Sequence, residues 1–176
     1  MDISPASPEG SYWNGIRKLF LVWAVIVLAG FMFTYFEQTF SPTNINLFWA
    51  VLACIGLLYS KKQMPFSDRV LRNIFVVWLG IIIFGVAFSQ VVFFWPPLFF
   101  FAGYLGAFWL VLMAFGHAVT GMIDKKKLYI FTAGIQLAAA AFIFIFANSM
   151  PALFTLQYLI AGFIGSASMA ALLLFA

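Results

Sequence analysis

Charge is the first thing this sequence is short of. Only 8% of its 176 residues are Asp, Glu, Lys or Arg, while 65% are hydrophobic. A soluble domain of this size carries charge on roughly a quarter of its residues. Water is therefore excluded as the main solvent, and lipid takes its place. Cysteine is reduced to Cys54, which excludes an intrachain disulfide and a cysteine metal cluster. Its apolar surroundings predict a small core residue. Histidine is reduced to His117, so a bis-histidine site cannot form within one chain. The apolar runs hold no HExxH, no paired carboxylates and no serine–histidine arrangement. These absences predict a protein that is not an enzyme and carries no cofactor or metal.

What is present is a series of apolar runs long enough to cross a bilayer as helices. They cover roughly 18–38, 44–60, 71–93, 97–120, 128–147 and 152–176. The breaks between them carry turn chemistry, including "EQTFSPTNIN", "KKQMPFSDR", "FFWPPL", "MIDKKK" and "NSMP". Pro96-Pro97 divides a stretch that is otherwise apolar throughout, because two prolines remove two backbone donors and disfavour helix at the residue before them. The N-terminus is acidic and rich in Pro and Ser, unlike a secretory signal peptide, whose positive charges lead straight into an apolar run. Residues 1–14 read as a short cytoplasmic tail, with Tyr12 and Trp13 suited to the membrane interface.

The net charge is +4. It does not point to nucleic acid, because the basic residues lie in short clusters between apolar runs and not on one exposed face. Arg17 and Lys18 precede the first span. Lys61, Lys62, Arg69 and Arg72 lie between the second and third, and Lys125, Lys126 and Lys127 between the fourth and fifth. With six alternating spans, all nine basic residues fall on one side. The positive-inside rule places that side, and both termini, in the cytoplasm. The expected location is a plasma or inner membrane.

The spans also repeat. Without gaps, residues 17–33 and 72–88 share seven of 17 positions: Arg17/Arg72, Phe20/Phe75, Val22/Val77, Trp23/Trp78, Ile26/Ile81, Gly30/Gly85 and Phe33/Phe88. "FWAVLACIG" at 48–56 matches "FWLVLMAFG" at 108–116, and "AGYLGA" at 102–107 is similar to "AGFIGS" at 161–166. Each outer connection holds a proline: Pro42, Pro96 or Pro97, and Pro151. The predicted fold is all-α: a polytopic six-helix membrane domain over 15–176. It consists of three two-helix hairpins, about 15–62, 69–124 and 125–176, in one parallel orientation. The third copy diverges most, lacking a Trp and a central Gly in register. Gly30, Gly85, Gly56 and Gly116 are the predicted helix-packing positions, where a missing side chain lets a neighbour approach. Arg17 and Arg72 are expected at helix starts, anchored to lipid phosphates.

This arrangement resembles the HdeD-like family of small bacterial membrane proteins, which are associated with acid resistance. The resembling residues are Gly30, Gly85, Gly56, Gly116, Pro42, Pro96 and Pro151. The resemblance implies about six helices in hairpin repeats and no established catalytic residues. The 24 phenylalanines and the missing central glycine of the fifth span depart from it.

Few polar residues stand out as candidates. His117 offers a proton sensor or an axial haem ligand. Its isolation favours an interfacial histidine reaching headgroups or a backbone carbonyl. Glu37, Gln90, Asn148 and Gln157 are expected at similar outer depth, where they would line a polar vestibule or cap helix ends. Gln136 falls near the middle of the fifth span and suits a hydrogen bond between helices better than a substrate contact. Asp68 and Asp124 adjoin basic residues and read as surface pairs. The leading functional expectation is a structural, accessory or lipid- or partner-binding role, with lipid, other membrane subunits or a second copy as partners. The alternatives are a channel or carrier for a small weakly polar solute, with Gln136, Glu37, Gln90 and Gln157 on its path, and a cofactor-binding subunit using His117.

Overall fold

The computed structural model describes residues 8–37, 42–63 and 68–175. It is an all-α bundle of six helices: α1 (Pro8–Glu37), α2 (Pro42–Gln63), α3 (Arg69–Phe94), α4 (Leu105–Asp124), α5 (Lys127–Phe146) and α6 (Leu153–Phe175). Six stretches are long and apolar enough to span a membrane, and the chain is an integral membrane protein.

Prolines and polar caps set the boundaries. α2 opens on Pro42, and Pro96-Pro97 opens a 3-10 helix over Pro96–Tyr104 that leads into α4. Proline suits such starts because its missing N–H has no intrahelical partner there in any case. The fourth span therefore begins as a 3-10 segment and becomes α-helical only at Leu105, not at residue 97. Asp68 caps α3, its Oδ1 accepting from the backbone N–H of Val70 at 2.7 Å and of Leu71 at 3.3 Å. It is thus a helix cap, and among the described residues it is not half of a surface pair. Asp124 does form the expected pair, 3.7 Å from Lys126. Between them Lys125 takes the left-handed conformation at φ 57°, which ends α4 and reverses the chain into α5.

The start of α1 differs from expectation. Helix begins at Pro8, so half of the expected tail is helical and Arg17 sits more than two turns inside α1, not at its start. Residues 1–7 and the side chains of Tyr12 and Trp13 lie outside the described residues. Cys54 also differs: it is exposed on the outer face of α2 and is not a core residue.

Neighbouring helices run antiparallel. All described Lys and Arg therefore gather at one end, here called the basic end, and Pro42, Pro96, Pro97 and Pro151 at the other, the proline end. Within each hairpin, α1 leans on α2, α3 on α4 and α5 on α6. Between hairpins, α4 packs along α5 and α6 along α1. Gly162 and Gly165 of α6 make the second approach close: a Cβ on Gly162 would stand 2.9 Å from Cβ of Phe31, and one on Gly165 3.0 Å from Val27. Among the described residues the third possible seam, α2 against α3, is not packed in this way. The bundle is closed at two seams and open at one.

Candidate functional site

The open seam is built from a side-chain unit that occurs four times. On α1, Trp23 is followed by Gly30 and Thr34. On α2 the series is Trp49, Gly56, Ser60; on α3, Trp78, Gly85, Ser89; on α4, Trp109, Gly116, Thr120. The spacing is Trp-x6-Gly-x3-Ser/Thr in every case, which at 3.6 residues per turn puts all three on one helix face. In each of the first two hairpins the two helices exchange these units. Trp23 lies over Gly56 and donates its indole N–H to Ser60 Oγ at 3.0 Å, while Trp49 lies over Gly30 and donates to Thr34 Oγ1 at 2.9 Å. Trp78 lies over Gly116 and donates to Thr120 at 3.1 Å, and Trp109 lies over Gly85 and donates to Ser89 at 3.2 Å.

Each part of this clasp has a physical cause. Glycine leaves room for the indole: a Cβ on Gly56 would stand 2.7 Å from the ring of Trp23. The hydroxyl four residues on supplies an acceptor for the indole N–H, which in an apolar setting needs one. Thr34, Ser60 and Ser89 in turn donate to the carbonyls of Gly30, Gly56 and Gly85 at 2.7–2.8 Å. All four glycines expected at packing positions are therefore in helix contacts. The hydroxyls were missed from the sequence, although their fixed offset of four from each glycine is a readable signal.

Two spaces lie along the seam. At the proline end is a cavity of about 280 Å³. Trp49, Trp109, Phe31 and Phe93 give it aromatic walls, and its polar groups come from Asn46, Gln90, Thr34, Ser89 and Tyr158. The Asn46 amide donates to Gln90 Oε1 at 3.1 Å, linking α2 to α3. None of the described residues lining this cavity is acidic or basic. At the basic end is a mainly apolar cleft lined by Phe20, Trp23, Leu57, Phe75 and Trp78 among others, Asp124 included.

The other expected site residues are dispersed. Gln90 lines the cavity, but Gln157 does not join it. Gln157 is fully buried and acts as a cap within the bundle: its Oε1 accepts from the backbone N–H of Gly106 at 3.0 Å and of Ala107 at 3.4 Å. Its amide donates to the carbonyls of Phe154 and Gly103. These bonds satisfy orphan groups at the junction between the 3-10 segment and α4. Asn148 accepts from the Tyr104 hydroxyl at 3.0 Å, and Glu37 ends α1, half-buried; neither lines the cavity. The four-residue vestibule is therefore not assembled.

His117 is not interfacial. It has no exposed surface, and its Nδ1 lies 3.0 Å from Oε1 of Gln136, also fully buried. The ring meets Trp78 edge-on at 5.1 Å between centroids and faces Tyr129 at 6.4 Å. The physical reason is local: His117 follows Gly116 on the face of α4 that α5 covers, so its polar edge must find a partner across the helix pair. Nε2 of His117 and Nε2 of Gln136 have no partner among the described residues. Gln136 thus makes the expected interhelical bond and lines neither the cavity nor the cleft. Among the described residues no group of three or more His, Cys, Asp or Glu is placed to hold a metal ion.

No protein-family model, characterised protein or solved structure matches this chain.

Proposed function

We propose that the protein carries a small, neutral, weakly polar solute across the membrane through the open seam between its first two hairpins. The observation that carries this reading is the proline-end cavity, where an amide pair, hydroxyls and indole faces combine with no ionised side chain. Such a lining suits a solute with both donors and acceptors on a partly apolar body. The basic-end cleft lies on the same seam. On α3 the two spaces are separated only by the step from Ile82 to Val86, a rise of about 6 Å. On α1 they are separated by the step from Trp23 to Phe31, about 12 Å. Two recesses facing opposite ends across a thin plug suit alternating access. The reading is non-catalytic, since the cavity offers amides and hydroxyls without a carboxylate or imidazole beside them. The basic end is taken as cytoplasmic, by the one-sided placement of Lys and Arg.

The test is solute-driven swelling of proteoliposomes in isosmotic urea, glycerol and other small neutral solutes. Faster swelling than protein-free vesicles, slowed by Gln90→Leu and by Asn46→Leu, is expected. Rates equal to protein-free vesicles for every solute would remove the carrier reading.

A second reading, as an accessory subunit, is favoured by one feature. Phe94, Trp95, Phe99 and Phe100 are between 58% and 75% exposed around the Pro96-Pro97 break. A patch of this kind suits lipid or another membrane subunit. A cross-linker placed at Phe99 that yields one discrete product in native membranes would support a protein partner.

A further inference from the structure

We infer that the basic-end cleft binds an anionic phospholipid, with one acyl chain between α1 and α3 and the headgroup held by cations from three helices. Helical spacing carries the argument. Phe20, Leu57 and Phe75 line the cleft on α1, α2 and α3. Arg17 lies three residues from Phe20, Lys61 four from Leu57 and Arg72 three from Phe75, each toward the basic end. Residues three or four apart share a helix face. Each cation therefore stands one turn beyond a lining residue, on the cleft side of its helix, and all three are exposed. Three helices thus converge on the cleft mouth with positive charge. No ion pair engages these three side chains among the described residues.

The length of the cleft suits an acyl chain. On α3 its lining runs from Val70 to Ile82, a rise of about 18 Å, comparable with one leaflet of a hydrocarbon core about 30 Å thick. Because α2 is not packed along α3, the cleft can be reached sideways, and an acyl chain can enter without leaving the hydrocarbon. Asp124 is the one acidic group among the described lining residues, and Lys126 pairs with it at 3.7 Å. Charge complementarity selects the headgroup: guanidinium and ammonium groups favour a phosphate carrying net negative charge over a zwitterion. The cleft is also the basic-end recess of the carrier reading, but lipid retention is measured without solute flux, so either can fail without the other.

The experiment is native mass spectrometry of the full chain, delipidated in mild detergent and offered dioleoyl phosphatidylglycerol or dioleoyl phosphatidylcholine. One retained phosphatidylglycerol is expected, in preference to phosphatidylcholine. The triple variant Arg17→Gln/Lys61→Gln/Arg72→Gln should weaken phosphatidylglycerol retention roughly tenfold or more. Ile74→Trp, which fills the cleft from α3, should reduce retention of both lipids. Lys18→Gln/Lys62→Gln removes charge from the same end at positions one turn from Leu21 and Leu58, which do not line the cleft, and should leave the preference unchanged. Equal retention of the two lipids by the native chain would overturn the assignment. So would a preference that survives the triple variant, retention that Ile74→Trp leaves unchanged, or a preference that Lys18→Gln/Lys62→Gln abolishes. Helix content by circular dichroism and a single gel-filtration peak identify variants that fold.

Discussion

The indole ring of Trp49 lies parallel to that of Trp109, with centroids 6.1 Å apart and 4° between the planes. This stack joins the first hairpin to the second across the seam that the helices themselves leave open. Each ring is also held by its own hairpin, Trp49 through Thr34 and Trp109 through Ser89. A substitution at either clasp therefore disturbs both the hairpin and the wall of the cavity.

The glycines divide into two classes with opposite expected outcomes. A Cβ on Gly56, Gly85 or Gly116 would come within 3.0 Å of an indole ring, whereas Gly80 and Gly134 have nothing within 4 Å. Gly56→Ala and Gly116→Ala should destabilise by about 1–3 kcal/mol through overpacking. Gly80→Ala and Gly134→Ala should be neutral or stabilise by up to about 1 kcal/mol, from the greater helix preference of alanine. Thermal melts in one detergent compare them. Loss of stability in Gly80→Ala equal to that in Gly56→Ala would remove the clasp explanation.

The hydrogen bond within a clasp is measurable on its own. Trp23 donates to Ser60, which is itself buried. A double-mutant cycle with Trp23→Phe and Ser60→Ala should give a coupling of about 1 kcal/mol. Strict additivity would mean that the indole is held by packing alone.

Gln136→Leu should cost about 1–3 kcal/mol, because it leaves the polar edge of His117 buried without a partner. Adding His117→Leu should recover part of that loss, since removing both polar groups removes both desolvation costs. The purified protein is expected to be colourless. A Soret band that disappears in His117→Leu would instead assign this position to a haem.

Orientation is testable with single cysteines in a Cys54→Ala background. Ser149 and Lys125 are exposed at the proline end and the basic end. Ser149→Cys should react with an impermeant maleimide in intact cells, and Lys125→Cys only after permeabilisation. The reverse pattern would invert the proposed topology.

The sequence by itself determined that this chain lives in lipid and that it crosses six times, because hydropathy, proline breaks and the grouping of Lys and Arg are local properties read one residue at a time. The pairing of Trp and Gly was half legible. Their recurrence was visible, but the hydroxyls that complete each clasp belong to the facing helix, and a single-chain alignment does not show which hydroxyl an indole meets. Tertiary structure alone decided the rest. It buried His117 against Gln136, because the face of α4 that carries the histidine is the one α5 covers. It drew Gln157 into the bundle as a cap for a broken helix, and it separated Glu37, Asn148 and Gln90, which the sequence placed at one depth. Depth along a helix follows from counting residues. Direction around the helix axis follows from which neighbours pack there, and in a chain apolar on nearly every face only the assembled bundle supplies that choice.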